Sequence, residues 1–385
     1  MALTRTLLVV LAGDAGSRLE SLTARRAKPA LPYGGTHRLI DFTLSHAANS
    51  GISDVWVVEQ HHPLSVTEHL AGGRPWDLDR TRGGLLVLGP EPGEPVAGTA
   101  DALWRRAGAI RAHEPEVVLL APASAVYRMD FTDVVARHLS AGAALTMVTT
   151  RRDGDLPLRG VVQVQEGRVT DYASRPEHPR GDLVATGVVA FDPAALLAGL
   201  EDVRSARGAD GLGDLGDHLL PAMVGRGAAV EQRHQGYWAE VGTVEEYWKV
   251  HMDLLDRPPF DLDDPAWPVT TRVRRHGAAR VPGAGHVEDA LLGPGALVEG
   301  TVRRSVLGAG VRVAAGAEVV DSVLLDDVRV GPGAVVRRSV VDEGARVRGR
   351  AEVGGAAEGD RVALVAAHAV VHPRKRVPAG GRYPE

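Results

Sequence analysis

Along the first two-thirds of the chain, short continuous apolar runs alternate with stretches of helical periodicity. Leu7 to Leu11, Val55 to Val58, Val117 to Ala121, Ala144 to Val148 and Val184 to Phe191 read as buried strands, and Thr99 to His113 and Asp133 to Ala141 as helices. Strands that are apolar on both faces and separated by helices predict a mostly parallel sheet covered on both sides, with ligands at the carboxyl ends of its strands. The pattern stops at Pro258 to Pro268, PPFDLDDPAWP, which is too rich in proline for a helix interior or a central strand and reads as a linker. Beyond it, the triplets beginning at Ser305, Ser322 and Ser339 recur at an interval of 17 residues, with glycine turns between them. Such a period predicts a left-handed parallel β-helix built from hexapeptide repeats, about three to a coil, with a valine-rich β-sandwich as the competing reading. The expected division is residues 1–257, a linker at 258–282, and a β-helix domain at 283–385.

Composition narrows the class. At 385 residues the chain exceeds the size at which one core keeps growing, which agrees with two domains. A net charge of -5 gives no basic footprint for nucleic acid. The absence of cysteine excludes disulfides and thiolate metal sites. The apolar run near the N-terminus is too short for a signal peptide or a membrane span, so a cytoplasmic protein without a membrane partner is expected. Open end rungs on a β-helix need cover, and a homo- or hetero-oligomer is the expected solution.

Chemistry concentrates where the first strand ends. In LAGDAGSRLESLTARRAKPAL, Leu11 to Leu31, Gly13 and Gly16 suit a turn whose backbone N–H groups cradle an anion. Arg18 adds a planar cation and Lys28 a compact one, both suited to phosphate oxygens. Asp14 opposes them. A carboxylate about 4 Å from a phosphate charge costs on the order of 4 kcal/mol at an effective dielectric near 20 unless a cation intervenes. A Gly-x-x-Gly turn by itself fits an ordinary tight turn as well as a nucleotide site.

The opening resembles the first motif of the ADP-glucose pyrophosphorylases (glucose-1-phosphate adenylyltransferases), L-A-G-G-x-G-T-R-L followed by L-T-x-x-R-A-K-P-A. The resemblance continues, in family order, through RLIDFTLSHAANSGI (Arg38 to Ile52), GTADAL (Gly98 to Leu103), YRMDF (Tyr127 to Phe131), YWAEVGTVEEYW (Tyr237 to Trp248) and WPVTT (Trp267 to Thr271). It implies an α/β nucleotidyltransferase domain, Rossmann-like, followed by a β-helix that serves assembly and allosteric control. It also implies the reaction of ATP with glucose-1-phosphate to give ADP-glucose and pyrophosphate, with Mg²⁺ as cofactor. Positioning and charge neutralisation carry such a transfer. On this resemblance the nucleotide would meet Gly13, Asp14, Gly16, Ser17, Gly98 and Asp101, with Arg18 and Lys28 as the catalytic cations. The sugar phosphate would meet Gly160, Ser174 and Arg175, and the metal Glu240.

Several of these positions depart from the family pattern. Asp14 replaces a glycine, and in LLAPASAVY Ser124 stands where the metal-binding aspartate belongs, with Ala123 for glycine and Ala125 for histidine. Glu240 replaces the second metal aspartate, which keeps the charge but moves it about one methylene outward. On the sugar side, Ser174 and Arg175 replace glutamate and lysine, Ala185 replaces serine, and Asp217 replaces a lysine. Arg105 and Arg106 stand where glutamine and asparagine are common, and Ser17 replaces threonine. The shortened segment between Leu70 and Gly98 stands where many relatives carry an activator-responsive loop. Asp101 either orients a ribose or caps its helix, Asp130 reads as a helix cap, and His61 and His62 read as solvated loop residues. Two functional readings follow: a catalytically impaired member acting as regulatory or assembly partner of an active homologue, and a working enzyme with altered metal and sugar sites.

Overall fold

A computed structural model of the chain describes residues 5–89, 98–151, 160–208, 211–256, 258–273, 276–355, 359 and 361–384. In chain order its first elements are β1 (Thr6–Ala12), β2 (Pro32–Tyr33), β3 (His37–Arg38), α1 (Leu39–Asn49), β4 (Asp54–Glu59), α2 (Pro63–Leu70), β5 (Gly84–Leu88), α3 (Thr99–Arg105), α4 (Ala107–His113), β6 (Val117–Pro122) and β7 (Ala125–Tyr127). They are followed by α5 (Phe131–Ala141), β8 (Leu145–Arg151), β9 (Gly160–Gln165), β10 (Arg168–Ser174), β11 (Leu183–Phe191), α6 (Pro193–Arg207), α7 (Leu220–Gly225), β12 (Ala229–Arg233), β13 (Trp238–Glu240) and α8 (Val244–Asp256). The chain divides into two compact units, Met1–Asp14 with Phe42–Trp238 and Pro265–Val269, and Ala15–Asp41 with Ala239–Asp264 and Thr270–Glu385. Among the described residues no helix is long and apolar enough to cross a membrane.

The first unit is built on a nine-stranded sheet of order β5-β4-β1-β6-β11-β8-β12-β10-β9. The expected apolar runs are its strands. β5, β4, β1 and β6 run parallel to one another, as do β8 and β12, while β11 lies antiparallel between β6 and β8. Leu7, Val9, Leu120, Leu103 and Phe191 meet in its core, which removes them from water at roughly 1.5–3 kcal/mol per large side chain.

Two helix readings change in detail. Thr99 to His113 is two helices, because Arg106 leaves helical geometry (φ -99, ψ 2) and sends its guanidinium to the carbonyl of Gly89 at 2.7 Å. Hydrophobic periodicity does not record a break of one residue. α5 starts two residues before the expected position, where the Asp130 carboxylate accepts from the Thr132 amide at 2.8 Å and caps the first turn, as its sequence position predicted.

The proline-rich segment Pro258 to Pro268 holds neither helix nor strand among its described residues, and its end is docked. The Trp267 indole donates to His46 Nδ1 at 3.0 Å, and Asn49 donates to the Pro268 carbonyl at 3.0 Å. His46 Nε2 in turn donates to the Tyr127 carbonyl at 2.7 Å. A ring that accepts at one nitrogen and donates at the other is neutral, and burial lowers its pKa to about 4.

In the second unit the recurring triplets stack as one wall of the β-helix. Val306, Val323 and Val340 pair in parallel register, as do Leu307, Leu324 and Val341. The serine period has a structural cause. Each hydroxyl donates to the carbonyl two residues back at 2.7 Å, and those of Ser305 and Ser322 also accept from the serine amide one coil on, at 3.1 and 3.2 Å. A side chain that both donates and accepts satisfies the buried corner, which valine would not. The next partner of Val340 is Leu364, so the interval lengthens after the third coil. Val302, Val319, Val336 and Val353 fill the interior. In the expected activator-loop segment, residues 90–97 lie outside the described residues.

Candidate functional site

The first unit brings the start of the glycine turn and the Ser124 segment to neighbouring positions. β1 and β6 are parallel neighbours with Leu11 beside Pro122, so Gly13 and Asp14 leave one strand end and Ala123 and Ser124 leave the next. Both loops therefore start from the carboxyl edge of the sheet, where ligands of such folds bind. Gly13 lies beside the Gln60 side chain, whose Cδ would stand 2.5 Å from an added Cβ. β4, on the other side of β1, ends at the buried Glu59, whose carboxyl is pushed up to about 7 by burial against the opposing hydrogen bonds from Thr67. Only its place at the end of an apolar run marks Glu59 in the sequence. His61 and His62 are exposed, and among the described residues no group of three or more potential ligands is placed to hold a metal.

The replaced sugar-side residues also meet in the first unit, and they bind one another. Ser174 Oγ donates to Asp217 Oδ1 at 2.6 Å, and Arg175 Nη2 reaches the same carboxylate at 2.8 and 3.0 Å. Burial opposes ionisation of Asp217, but the Ser174 and Arg175 bonds outweigh it and hold the carboxyl below its ordinary range. Asp217 sits in a single π-helical turn, Leu215–Leu219, a local geometry often found at functional sites. Gly160 lies under Tyr172, where a Cβ would come within 2.7 Å of the phenol oxygen.

Gly98 and Asp101 approach this corner from α3. At φ +115, Gly98 occupies a conformation closed to other residues and lies against Gly213. The Thr99 amide that follows donates to Asp214 Oδ1 at 3.0 Å. Asp101 is the third residue of α3, and its carboxylate accepts from Arg105 Nε at 3.0 Å. Asp214 was not singled out by the sequence, because a contact with Thr99 from so far along the chain leaves no local pattern.

The second unit holds the rest of the glycine turn together with Ala239 to Trp248 of the Tyr-Trp block. Gly16 is left-handed (φ 64, ψ 28), and an added Cβ would also press on Thr23 at 3.0 Å and Lys28 at 3.2 Å. Its carbonyl accepts from Thr23 Oγ1 at 3.0 Å and the Leu19 amide at 2.8 Å, fixing the turn in place. Ser17 and Arg18 are exposed. Arg18 lies over Gly242, where a Cβ would stand 2.9 Å from Nη2. Lys28 is 1% exposed, with Nζ 3.9 Å from Glu240 Oε1. Arg18, Lys28, Glu240 and Gly242 thus gather within one unit. Thr243 and Glu246 do local work: the Thr243 hydroxyl accepts from the Glu246 amide at 3.1 Å, and the Glu246 carboxylate accepts from the Gly242 amide at 2.6 Å, in the manner of a capping box for α8.

Residues 7–257 match the family model described as nucleotidyl transferase, and residues 276–371 match that described as GlmU-like, C-terminal hexapeptide. A glucose-1-phosphate adenylyltransferase of Acetivibrio thermocellus is 34% identical over 347 residues, covering 88% of this chain and 81% of that protein. One of Bacillus cytotoxicus is 33% identical over 366 residues, covering 93% of this chain and 97% of that protein. One of Bacillus cereus strain Q1 is 34% identical over 335 residues, covering 85% and 89%.

Proposed function

The chain belongs to the glucose-1-phosphate adenylyltransferase family, and from that premise we propose that it is a catalytically impaired member, acting as a regulatory or assembly subunit for an active homologue in glycogen or related α-glucan synthesis. The observation that carries this reading is the closed group of Ser174, Arg175 and Asp217. Arg175 is the cation left to meet a sugar phosphate, and an internal carboxylate engages its Nη2 and offsets its charge. Asp14 and Ser124 act in the same direction on the nucleotide side. The protein is cytoplasmic in this reading and forms a homo- or hetero-oligomer through its β-helix. The nucleotidyl transferase match ends at residue 257, next to the proposed start of the linker at 258, whereas the hexapeptide match begins at 276, before the proposed start of the β-helix domain at 283.

Mg²⁺, the family's cofactor, takes oxygen ligands and typically one or two protein carboxylates. This chain offers a serine hydroxyl at Ser124 and a Glu240 carboxylate already facing Lys28. Those donors do not fit a protein-held ion. The retained group of Arg18, Lys28, Glu240 and Gly242 favours the second reading, an active sugar-phosphate nucleotidyltransferase with altered metal and sugar sites.

Mixing experiments separate the two. The purified protein is expected to co-sediment with an active homologue from the same cell and to change that enzyme's pyrophosphate release from ATP and glucose-1-phosphate, while releasing little by itself. Independent sedimentation with full activity alone would overturn the subunit reading.

Two variants probe the replaced positions. Asp217→Asn is expected to raise glucose-1-phosphate affinity by up to about five-fold in calorimetric titration, the scale of an exposed ion pair. An unchanged affinity would show that Asp217 does not compete for Arg175. Asp14→Gly combined with Ser124→Asp is expected to raise Mg-ATP affinity by more than the product of the single changes, since both would act on one triphosphate. If titration of the double variant shows no gain, the inferred alignment of these loops with the family is wrong.

A further inference from the structure

Two arginines flanking the Lys28 turn are held by carboxylates from the β-helix, all within the second unit. Arg26, two residues before Lys28, is nearly buried and donates through Nη2 to Asp342 Oδ1 at 2.6 Å. Arg38 donates through Nη1 to the Ala30 carbonyl at 2.9 Å and so grips the end of the Lys28–Ala30 turn. Its Nη2 lies 3.5 Å from Asp326 Oδ2. Asp326 and Asp342 stand on successive coils, each just after the strand of a serine triplet. Asp326 also accepts from the Ala309 amide of the preceding coil at 3.0 Å and Asp342 from the Glu343 amide of its own coil at 2.7 Å, so both carboxylates are fixed to the β-helix.

A buried ion pair is a poor source of stability, since apolar residues of the same volume often do as well or better. This one is worse than most. Asp342 Oδ2 and Arg26 Nη1 are buried without a hydrogen-bond partner, and each such group retains its desolvation cost. An arrangement that is costly in energy but narrow in geometry defines a position. We infer that Asp342 and Asp326 are positioning residues that hold Lys28 in place through Arg26 and Arg38, so that the repeat domain forms part of the support of the phosphate-handling turn. The functional meaning of this inference rests on the role proposed above for Lys28. Its structural content does not.

Hydrogen exchange on the full-length protein tests it. The Leu19, Ala30 and Leu31 amides are bonded within the turn, and the Val306 and Gly308 amides within the β-helix. In Asp342→Asn the first group is expected to exchange about ten-fold faster while the second stays within about two-fold of the parent protein. Asp327→Asn, at an exposed neighbour of Asp326, is expected to change neither group. If Asp342→Asn fails to fold, Asp326→Asn decides, because Arg38 holds the Ala30 carbonyl directly. Equal loss of protection at both places would show a structural anchor only, and an unchanged turn would show no positioning; either overturns the inference. Mg-ATP titration adds a second reading, with binding about ten-fold weaker expected in Asp342→Asn. Absence of Mg-ATP binding in the parent protein would remove the role given to Lys28 and leave the exchange result to decide the positioning.

Discussion

Purified alone and supplied with ATP, glucose-1-phosphate and Mg²⁺, the protein is expected to release pyrophosphate at least about 10³-fold more slowly than an intact relative, equivalent to roughly 4 kcal/mol of barrier. Asp14 supplies the first contribution, a carboxylate on the loop proposed to receive the triphosphate, off the strand next to the one that leads to Ser124. Ser124 supplies the second. Charge stabilisation by a bound cation contributes several kcal/mol to such reactions, and a hydroxyl does not replace an anionic ligand. The third is Arg175, occupied by Asp217 before any sugar phosphate arrives. The first two act on one charge cluster and do not add fully, which is why the expected deficit is set at the lower end. A rate within ten-fold of an intact enzyme would overturn the impaired reading and leave the active alternative standing.

Deletion of residues 283–385 is expected to leave the Ala15–Asp41 segment unfolded and the protein insoluble or monomeric. Within the second unit that segment and α8 are held by the β-helix. Arg26 and Arg38 meet Asp342 and Asp326, the Trp248 indole donates to the Asp321 carbonyl at 2.6 Å beneath Arg338, and Arg382 binds Glu20. The other ties of the segment are few and weak, such as the Tyr33 hydroxyl to the Val250 carbonyl at 3.1 Å and Lys28 Nζ to Glu240 at 3.9 Å. A net bond of this kind contributes only about 1 kcal/mol, too little to order some 27 residues. Trypsin reads the result. Arg26 is shielded in the full chain, and the bond after it is expected to be cut quickly in the truncated one, while Pro29 closes the bond after Lys28 to trypsin; light scattering compares the assembly of the two proteins. A soluble truncated protein that resists cleavage after Arg26 would contradict the dependence.

Much of the architecture was legible in the chain itself. Apolar runs marked β1, β4, β6, β8 and β11, because a strand covered on both faces has little room for polar side chains. The serine triplets marked the β-helix coils, because each hydroxyl repeats one bonding task at every turn. Asp130 announced the start of α5 by the local logic of capping. The motif blocks indicated the family and located the departures at Asp14, Ser124, Ser174, Arg175 and Asp217. Tertiary structure decided what those residues do to one another. Nothing local predicts that Asp217 offsets the charge of Arg175, that Arg106 breaks a periodic helix, or that Asp342 and Asp326, which no motif singles out, are buried against Arg26 and Arg38 from the start of the chain. Periodicity records which face of an element is hidden from water. Which distant side chain meets that face depends on how coils and strands stack in three dimensions, and a charge that looks exposed in sequence becomes a buried partner only when that stacking is complete.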